Sequence, residues 1–358
     1  MKIDNSFLKN YKNLKVLITG TTGFKGSWLS FWLQNLGAKV SGISLKPEKN
    51  SILFKNFQLE KKINQYFIDI NNFNKLNDVI KKTKPDIIFH LAAQSIVSES
   101  YKKPLRTFHT NILGSANILE TIRINRIPHL VYITSDKCYL NLDKKKNFKE
   151  TDNLGGLDNY SSSKASAELI FSSYYNSYFS NSKYLSIASA RAGNVIGGGD
   201  MKENRIVPDI IKALYNNNKL DLRNPQATRP WQHVLEPLFG YLLLGNRLLE
   251  KNISSKVLPS WNFGPNPNNC KKVFNVLKLI EKLWNKKKLR IKLVKNKSFH
   301  ESKLLSLNIN KANKELNWKP KLSFNDTVKL TVDWYKNYFA KKSSTKVTKE
   351  QIEYFLDQ

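Results

Sequence analysis

Short apolar runs recur through the first half of the chain, and longer stretches with helical spacing lie between them. Lys15–Thr19, Val40–Ser44, Tyr66–Asp69, Ile87–Leu91, Leu130–Ser135 and Leu185–Ala190 are the strand candidates. Within them, Val-Leu-Ile-Thr and Ile-Ile-Phe-His do not alternate polar and apolar positions, as expected of parallel strands buried on both faces. Ser27–Leu36 and Leu105–Ile124 instead have helical spacing. This βαβ rhythm predicts an α/β fold built on a Rossmann-type, doubly wound parallel sheet. From about Asn204 the rhythm breaks into loops, prolines and separate helices, which predicts a smaller, mixed α/β C-terminal lobe. Phe239–Leu249 and Trp261-Asn-Phe-Gly read as a helix and a strand returning to the first sheet. The expected division is 13–198 with 232–265 for the sheet domain, 199–231 with 266–342 for the second lobe, and 343–358 as a surface extension.

Composition narrows the class. With 41% hydrophobic and 11% aromatic residues in 358, the chain can build a sizeable core, which excludes global disorder. The opening MKIDNSFLKNYKN has no apolar run, so neither a signal peptide nor a membrane span is expected there. Tyr241-Leu-Leu-Leu is interrupted by Asn246 and Arg247, far short of the ~20 apolar residues of a membrane helix. Cys138 and Cys270 lie far apart and fit no disulfide or metal spacing. The expected setting is a reduced cytoplasm, with no membrane partner.

The formal net charge of +31 points at first towards nucleic acid. Its distribution argues against that partner. Residues 271–300 hold eleven Lys or Arg against one Glu, about a third of the excess. Val273, Val276, Leu277, Ile280, Leu283 and Trp284 form an apolar helical stripe there, with the lysines largely opposite. That pattern describes a solvated lysine face with some capacity to attract anionic ligands. No zinc-finger, RNP-type or basic-zipper pattern accompanies it.

Strand Lys15–Thr19 runs into Gly20-Thr-Thr-Gly23-Phe24-Lys25-Gly26, followed by a helical pattern. Glycines there let backbone N–H groups approach a pyrophosphate at a helix N-terminus, the arrangement of a dinucleotide site. It is not a P-loop, because no Ser or Thr follows Lys25. The second strand ends in Ser44-Leu45-Lys46, with only Glu48 nearby to select a free ribose hydroxyl. Asp69 reads either as a partner for the adenine amine or as a helix cap.

Tyr160 and Lys164 are four residues apart, so on a helix they share one face. A neighbouring ammonium favours the phenolate of a tyrosine whose free pKa is ~10. Ser135-Asp136-Lys137, a short way upstream, adds a hydroxyl, a carboxylate and an amine. Together these residues form a proton-handling cluster. No histidine pair has metal-ligand spacing, and no metal is expected. His90 reads as a packing or capping residue beside the cofactor, and His109 and His129 as structural.

Gly20–Gly26, His90-Leu-Ala-Ala-Gln94, Ser135, and Tyr160 with Lys164 resemble the extended short-chain dehydrogenase/reductase superfamily. Thr22-Gly-Phe-Lys-Gly-Ser-Trp28, Thr134-Ser-Asp-Lys-Cys-Tyr139, Ala190–Asp200 and Arg223–Val234 narrow this to a close resemblance to the CDP-glucose 4,6-dehydratases, spanning about 13–340. The resemblance implies NAD as cofactor and a nucleotide-sugar, CDP-glucose, as substrate, in deoxysugar synthesis for surface glycans. It implies that Tyr160 is the base at the sugar O4 and that Ser135 hydrogen-bonds that oxygen. Lys164 would hold the nicotinamide ribose and lower the Tyr160 pKa. Asp136 would be the acid for the departing hydroxyl. Related dTDP-glucose enzymes carry Glu where Lys137 stands, so Lys137 reads either as a base or as a charge stabiliser. The cofactor-binding set comprises Gly20, Gly23, Phe24, Lys25, Gly26, Asp69, Ile70, Leu91, Ala92 and Ala93, besides Tyr160 and Lys164. Gln94, Ser95, Asn194 and Arg229 are the substrate candidates. Arg205 and His300 join them, reading equally as ordinary structural or surface residues. The resemblance also implies a homodimer or homotetramer formed through helices that flank the sheet.

Overall fold

The computed structural model describes residues 5–142, 146–250, 259–285, 288–294 and 305–358. Seven parallel strands form the central sheet: β1 (Lys15–Thr19), β2 (Lys39–Ser44), β3 (Asn64–Phe67), β4 (Ile87–His90), β5 (His129–Ile133), β6 (Ser186–Ala192) and β7 (Ser260–Phe263). Their order is β7-β6-β5-β4-β1-β2-β3, with Val16 opposite both Val40 and Ile87. The expected doubly wound sheet is therefore present. Because successive side chains point to opposite faces, β1 sends Val16 and Ile18 into one core and Leu17 into the other. The first core also takes Trp28 and Trp32 from α1 (Phe24–Asn35); the second takes Ile118 and Ile122 from α3 (Gly114–Asn125), beyond α2 (Phe73–Thr83). The chain winds outward through β2 and β3, then crosses to β4 on the other side of β1. That reversal opens a crevice beyond the C-terminal ends of β1 and β4, where ligands bind in such sheets.

The remaining chain adds short strand pairs around this end. Lys219–Leu222 runs parallel to Arg290–Leu293, and Thr228–Pro230 antiparallel to Cys270–Lys272. The predicted stripe on the lysine-rich helix is buried at Val273, Val276, Leu277 and Ile280, with Leu283 and Trp284 partly buried against it.

Three expectations need correction. The third strand ends at Phe67, so Asp69 lies beyond it, where its carboxylate accepts from the Asn71 N–H at 2.9 Å. The helix that follows is capped by Asn72 instead. The stretch Leu105–Ile124 is helical but not one α-helix: His109–Leu113 forms a π turn between Pro104–Phe108 and α3. Finally, the tail expected as a surface extension carries a docked helix. Ser344–Asp357 is a helix that sets Phe355 edge-on against Trp32 and Phe239. Its polar sequence hid an apolar face at Val347, Ile352 and Phe355, spaced to meet the sheet-side helices.

That tail rests on a buried acid. Between β5 and β6 runs α4 (Asn159–Tyr174), and between β6 and β7 runs α5 (Leu235–Leu249). Glu236 stands in the first turn of α5, where its Oε1 accepts from the N–H groups of Lys321 (2.9 Å) and Leu322 (2.7 Å). Lys321 in turn donates to the carbonyls of Phe355 and Leu356, closing the end of the tail helix. Burial pushes the Glu236 carboxyl from 4.5 up to about 8. A folded value above the unfolded one favours the protonated form, so stability falls as pH rises through that window. Glu236→Gln keeps the acceptor without the charge. Its melting temperature is expected to match wild type at pH ~5 and exceed it by roughly 3 °C at pH ~9. An equal pH slope in both proteins would show that Glu236 does not titrate in this way.

Candidate active site

At the crevice, Gly20 turns the chain with φ +82°, and its N–H is held by the Ile43 carbonyl at 2.7 Å. The turn brings α1 so close that a Cβ on Gly26 would stand 2.0 Å from the Gly20 carbonyl oxygen, so only glycine fits. Gly23 caps α1 by backbone alone, leaving no side chain over the helix N-terminus. This cradle suits a pyrophosphate. Phe24 and Lys25 sit in the first turn, but the half-buried Lys25 amine turns inward, 3.4 Å from the Tyr241 hydroxyl. Burial lowers it to about 8; Asp136 opposes that fall, whereas Arg205 and Lys164 add to it. Lys25 therefore faces Asp136, Arg205 and Lys164 as well as the cradle.

The loop after β4 closes the other side. Thr19 Oγ1 accepts from the N–H groups of Leu91 (3.1 Å) and Ala92 (3.0 Å), with Ala93 half-buried beyond them. His90 is buried, with Nδ1 2.8 Å from Thr19 Oγ1 and its ring against Tyr132; burial lowers it to about 3. A packed ring is what the sequence led one to expect. Ile70 points its side chain into the core against Gly114, and Asp69 remains exposed. Glu48 turns away to Lys202, 2.5 Å distant.

The helix that carries Tyr160 and Lys164 begins one residue before Tyr160. Asp158 caps α4 by accepting from the N–H groups of Tyr160 and Ser161, each at 2.9 Å. One turn on, the Lys164 amine lies 6.0 Å from the centre of the Tyr160 ring, and both residues are buried. Burial lowers Lys164 to about 8, opposed by Cys138 and Glu168. Burial also pushes the Tyr160 phenol up to about 12; Asp136 adds to the rise, while Arg205 and a hydrogen bond with Ser135 act against it. The expectation of a phenol lowered by Lys164 is thus not met, because removal from water outweighs its cationic surroundings.

Ser135 ends the run from β5 and caps a single turn over Asp136–Cys138. Its hydroxyl donates to Asp136 Oδ1 at 2.9 Å and accepts from the Lys137 N–H at 3.2 Å. Burial raises the Asp136 carboxyl above its ordinary value; Lys137, the Ser135 bond and Lys25 pull it back. A Cβ on Gly193 would come 3.0 Å from Asp136 Oδ2, so the acid lies against the backbone that leads to the exposed Asn194. Pro230, next to Arg229, borders the same glycine.

Of the substrate candidates, Arg205 and Ser95 meet directly. The guanidinium donates to the Ser95 hydroxyl at 3.1 Å and to Asp200 Oδ2 at 2.8 Å, and it acts on Tyr160. Arg229 lies in the Thr228–Pro230 strand at the same end of the sheet. The Gln94 amide is committed to its own loop, donating to Thr107 Oγ1 and the Ile96 carbonyl. Contact with a ligand would have to exchange those bonds. His300 lies outside the described residues. Sequence reasoning missed Asn111, which exchanges hydrogen bonds with the Gln94 backbone (2.8 and 3.0 Å) and reaches Ser163 on α4 at 2.9 Å. Only the π turn at His109–Leu113 sets it there, and apolar spacing carries no sign of such a turn. Among the described residues, no group of His, Cys, Asp or Glu could hold a metal ion, and no helix is long and apolar enough to cross a membrane.

Known proteins match this arrangement. A family model described as GDP-mannose 4,6 dehydratase matches residues 17–331. CDP-glucose 4,6-dehydratase of Salmonella typhimurium is 38% identical over 359 residues, covering 99% of this chain and 98% of the relative. The crystal structure of dTDP-glucose 4,6-dehydratase from Bacillus anthracis, in complex with NAD, is similar at TM-score 0.74 and 26% identity, covering 92% of this chain and 99% of that one. UDP-glucose 4-epimerase of Thermus thermophilus, at 22% identity and TM-score 0.76 over 90% of this chain and 98% of that one, shares the fold. With the glycine cradle, the Tyr160–Lys164 helix and full-length similarity all present, the chain belongs to the GDP-mannose 4,6 dehydratase family of extended short-chain dehydrogenases/reductases.

Proposed function

We propose that this protein is an NAD-dependent CDP-glucose 4,6-dehydratase, forming CDP-4-dehydro-6-deoxy-D-glucose and water. The observation that carries the reading is Asp136. It is a buried carboxyl whose proton is favoured by burial, linked to Ser135 and acting on Tyr160. An enzyme that only moves hydride at C4 has no use for an acid there, whereas eliminating water across C5–C6 requires one. Full-length similarity to the Salmonella CDP-glucose enzyme supports the nucleotide and sugar.

The cradle at Gly20, Gly23 and Gly26, the backbone of Phe24 and Lys25, and Leu91–Ala93 would hold NAD, with Lys164 on its ribose. When bound, NAD would supply reversible hydride transfer for C4 and C6 of the sugar. Tyr160 would take the O4 proton as the phenolate, the form that a bound cationic nicotinamide favours, and Ser135, donating to Asp136 in the turn alongside, would hold O4 in line. The resulting ketone acidifies C5–H, whose proton would pass to a water beside Lys137, and Asp136 would give its proton to the departing C6 hydroxyl. Lys137, half-buried and acting on Asp136, supplies a cation where enolate charge develops. Arg205 and Arg229 suit the substrate diphosphate, since a guanidinium fork meets phosphate oxygens in pairs. Exposed Leu105, Leu113 and Leu169 on the helices flanking the sheet support a homo-oligomer, which a monomeric mass in sedimentation would exclude.

Purified protein with NAD and CDP-glucose is expected to give the alkali-induced absorbance of a 4-keto-6-deoxy sugar. It should do so at least about tenfold faster than with dTDP-, GDP- or UDP-sugars. Turnover of one of those in preference would overturn the nucleotide assignment.

A further inference from the structure

Beneath the catalytic residues lies a buried ion pair to which the mechanism above gives no role. Glu168 follows Lys164 by one helical turn on α4, and Arg191 lies on β6; each is 1% exposed. Arg191 Nη2 donates to Glu168 Oε2 at 2.7 Å. The Glu168 carboxylate also accepts from the hydroxyls of Thr134 and, at 3.1 Å, of Ser189. On its other side, Arg191 Nη1 donates to the Tyr139 hydroxyl at 2.8 Å and to the Glu150 carbonyl at 3.0 Å. Tyr139 passes the chain on to Asn262 Oδ1 at 2.7 Å, anchoring it to β7. Thr134 and Tyr139 are the two ends of one segment, and between them stand Ser135, Asp136 and Lys137. That segment is thus suspended from the pair at both ends, and the pair is built into the helix that carries Tyr160 and Lys164.

We propose that Glu168 and Arg191 are a positioning pair, fixing the Ser135–Lys137 turn in register with the Tyr160–Lys164 helix. Stability alone is a weak reason for such a pair. A well-packed apolar replacement of both partners is often neutral or stabilising, whereas removing one partner alone leaves a costly buried charge. Register is a better reason. The turn and the helix are separate segments joined by a loop, and a misplacement of about 1 Å between reacting groups costs on the order of 10²-fold in rate. The electrostatics agree, since Glu168 also supports the charge of Lys164.

The proposal rests on the dehydratase reading, but its test compares variants on whichever nucleotide-sugar the wild type turns over. Failure of CDP-glucose as substrate therefore leaves the comparison intact. In the Glu168→Leu/Arg191→Met double variant, kcat is expected to fall by about 30-fold or more. KM and the NAD Kd should stay within about threefold, and the melting temperature close to wild type. Wild-type kcat in a normally folded double variant would overturn the proposal. Thr134→Val keeps the ion pair and cuts only its tie to the residue before Ser135, so it decides the matter if the double variant does not fold. Its kcat should fall by about tenfold with substrate and cofactor affinity unchanged, and an unchanged kcat refutes the positioning role.

Discussion

Tyr160→Phe is expected to lower kcat by about 10³-fold while leaving the Kd for NAD within about threefold. The substitution keeps the buried ring that fills the start of α4 and removes only the hydroxyl. The cap from Asp158 binds backbone, and Lys164 stays in place, so the cofactor site is preserved. What disappears is the hydroxyl proposed to take the O4 proton. Stopped-flow absorbance of reduced nicotinamide measures this directly, because the loss falls on the first hydride transfer and no reduced cofactor should appear. Activity within about tenfold of wild type would remove Tyr160 from the role of base.

Asp136→Asn is expected to cost about 10³-fold in product formation, by a different route. Asparagine keeps the shape and the hydrogen bond with Ser135 but has no proton to give a departing hydroxide. Hydride abstraction at C4 needs only Tyr160, Lys164 and Ser135, so enzyme-bound reduced nicotinamide should accumulate while the 6-deoxy product does not. Lys137→Met should show the same accumulation with a loss of about 10². Near-normal elimination by that variant would mean that the amine serves neither as cation nor as base. The contrast with Tyr160→Phe separates the two halves of the reaction, and a Tyr160-like trace from Asp136→Asn would contradict the division of roles.

How much of this was legible in the chain differs from part to part. The sheet was readable because β1, β4 and β5 centre on unbroken apolar runs, buried on both faces, with helical spacing between the strands. The Gly20–Gly26 cradle and the Tyr160–Lys164 pair were readable for a related reason: both depend on short, local spacing. What could not be read is whatever depends on tertiary burial. The direction of the Tyr160 shift follows from removal of its phenol from water, which no four-residue spacing encodes. The inward turn of Lys25 depends on Tyr241, on a helix far along the chain. Asn111 required a π turn, and the docking of the tail helix required Trp32 and Phe239 to be waiting for Phe355. In the same way, the Glu168–Arg191 pair appears in the sequence only as two charges in otherwise ordinary elements.

One cofactor is proposed to carry a hydride from C4 to C6 of the same sugar, with water lost between the two transfers. CDP-glucose deuterated at C4, turned over in ordinary water, tests it most directly. The expected product is a 4-keto-6-deoxy sugar carrying the deuterium at C6, with a solvent proton at C5. Deuterium retained at C4, in an epimer or in unchanged substrate, would contradict it.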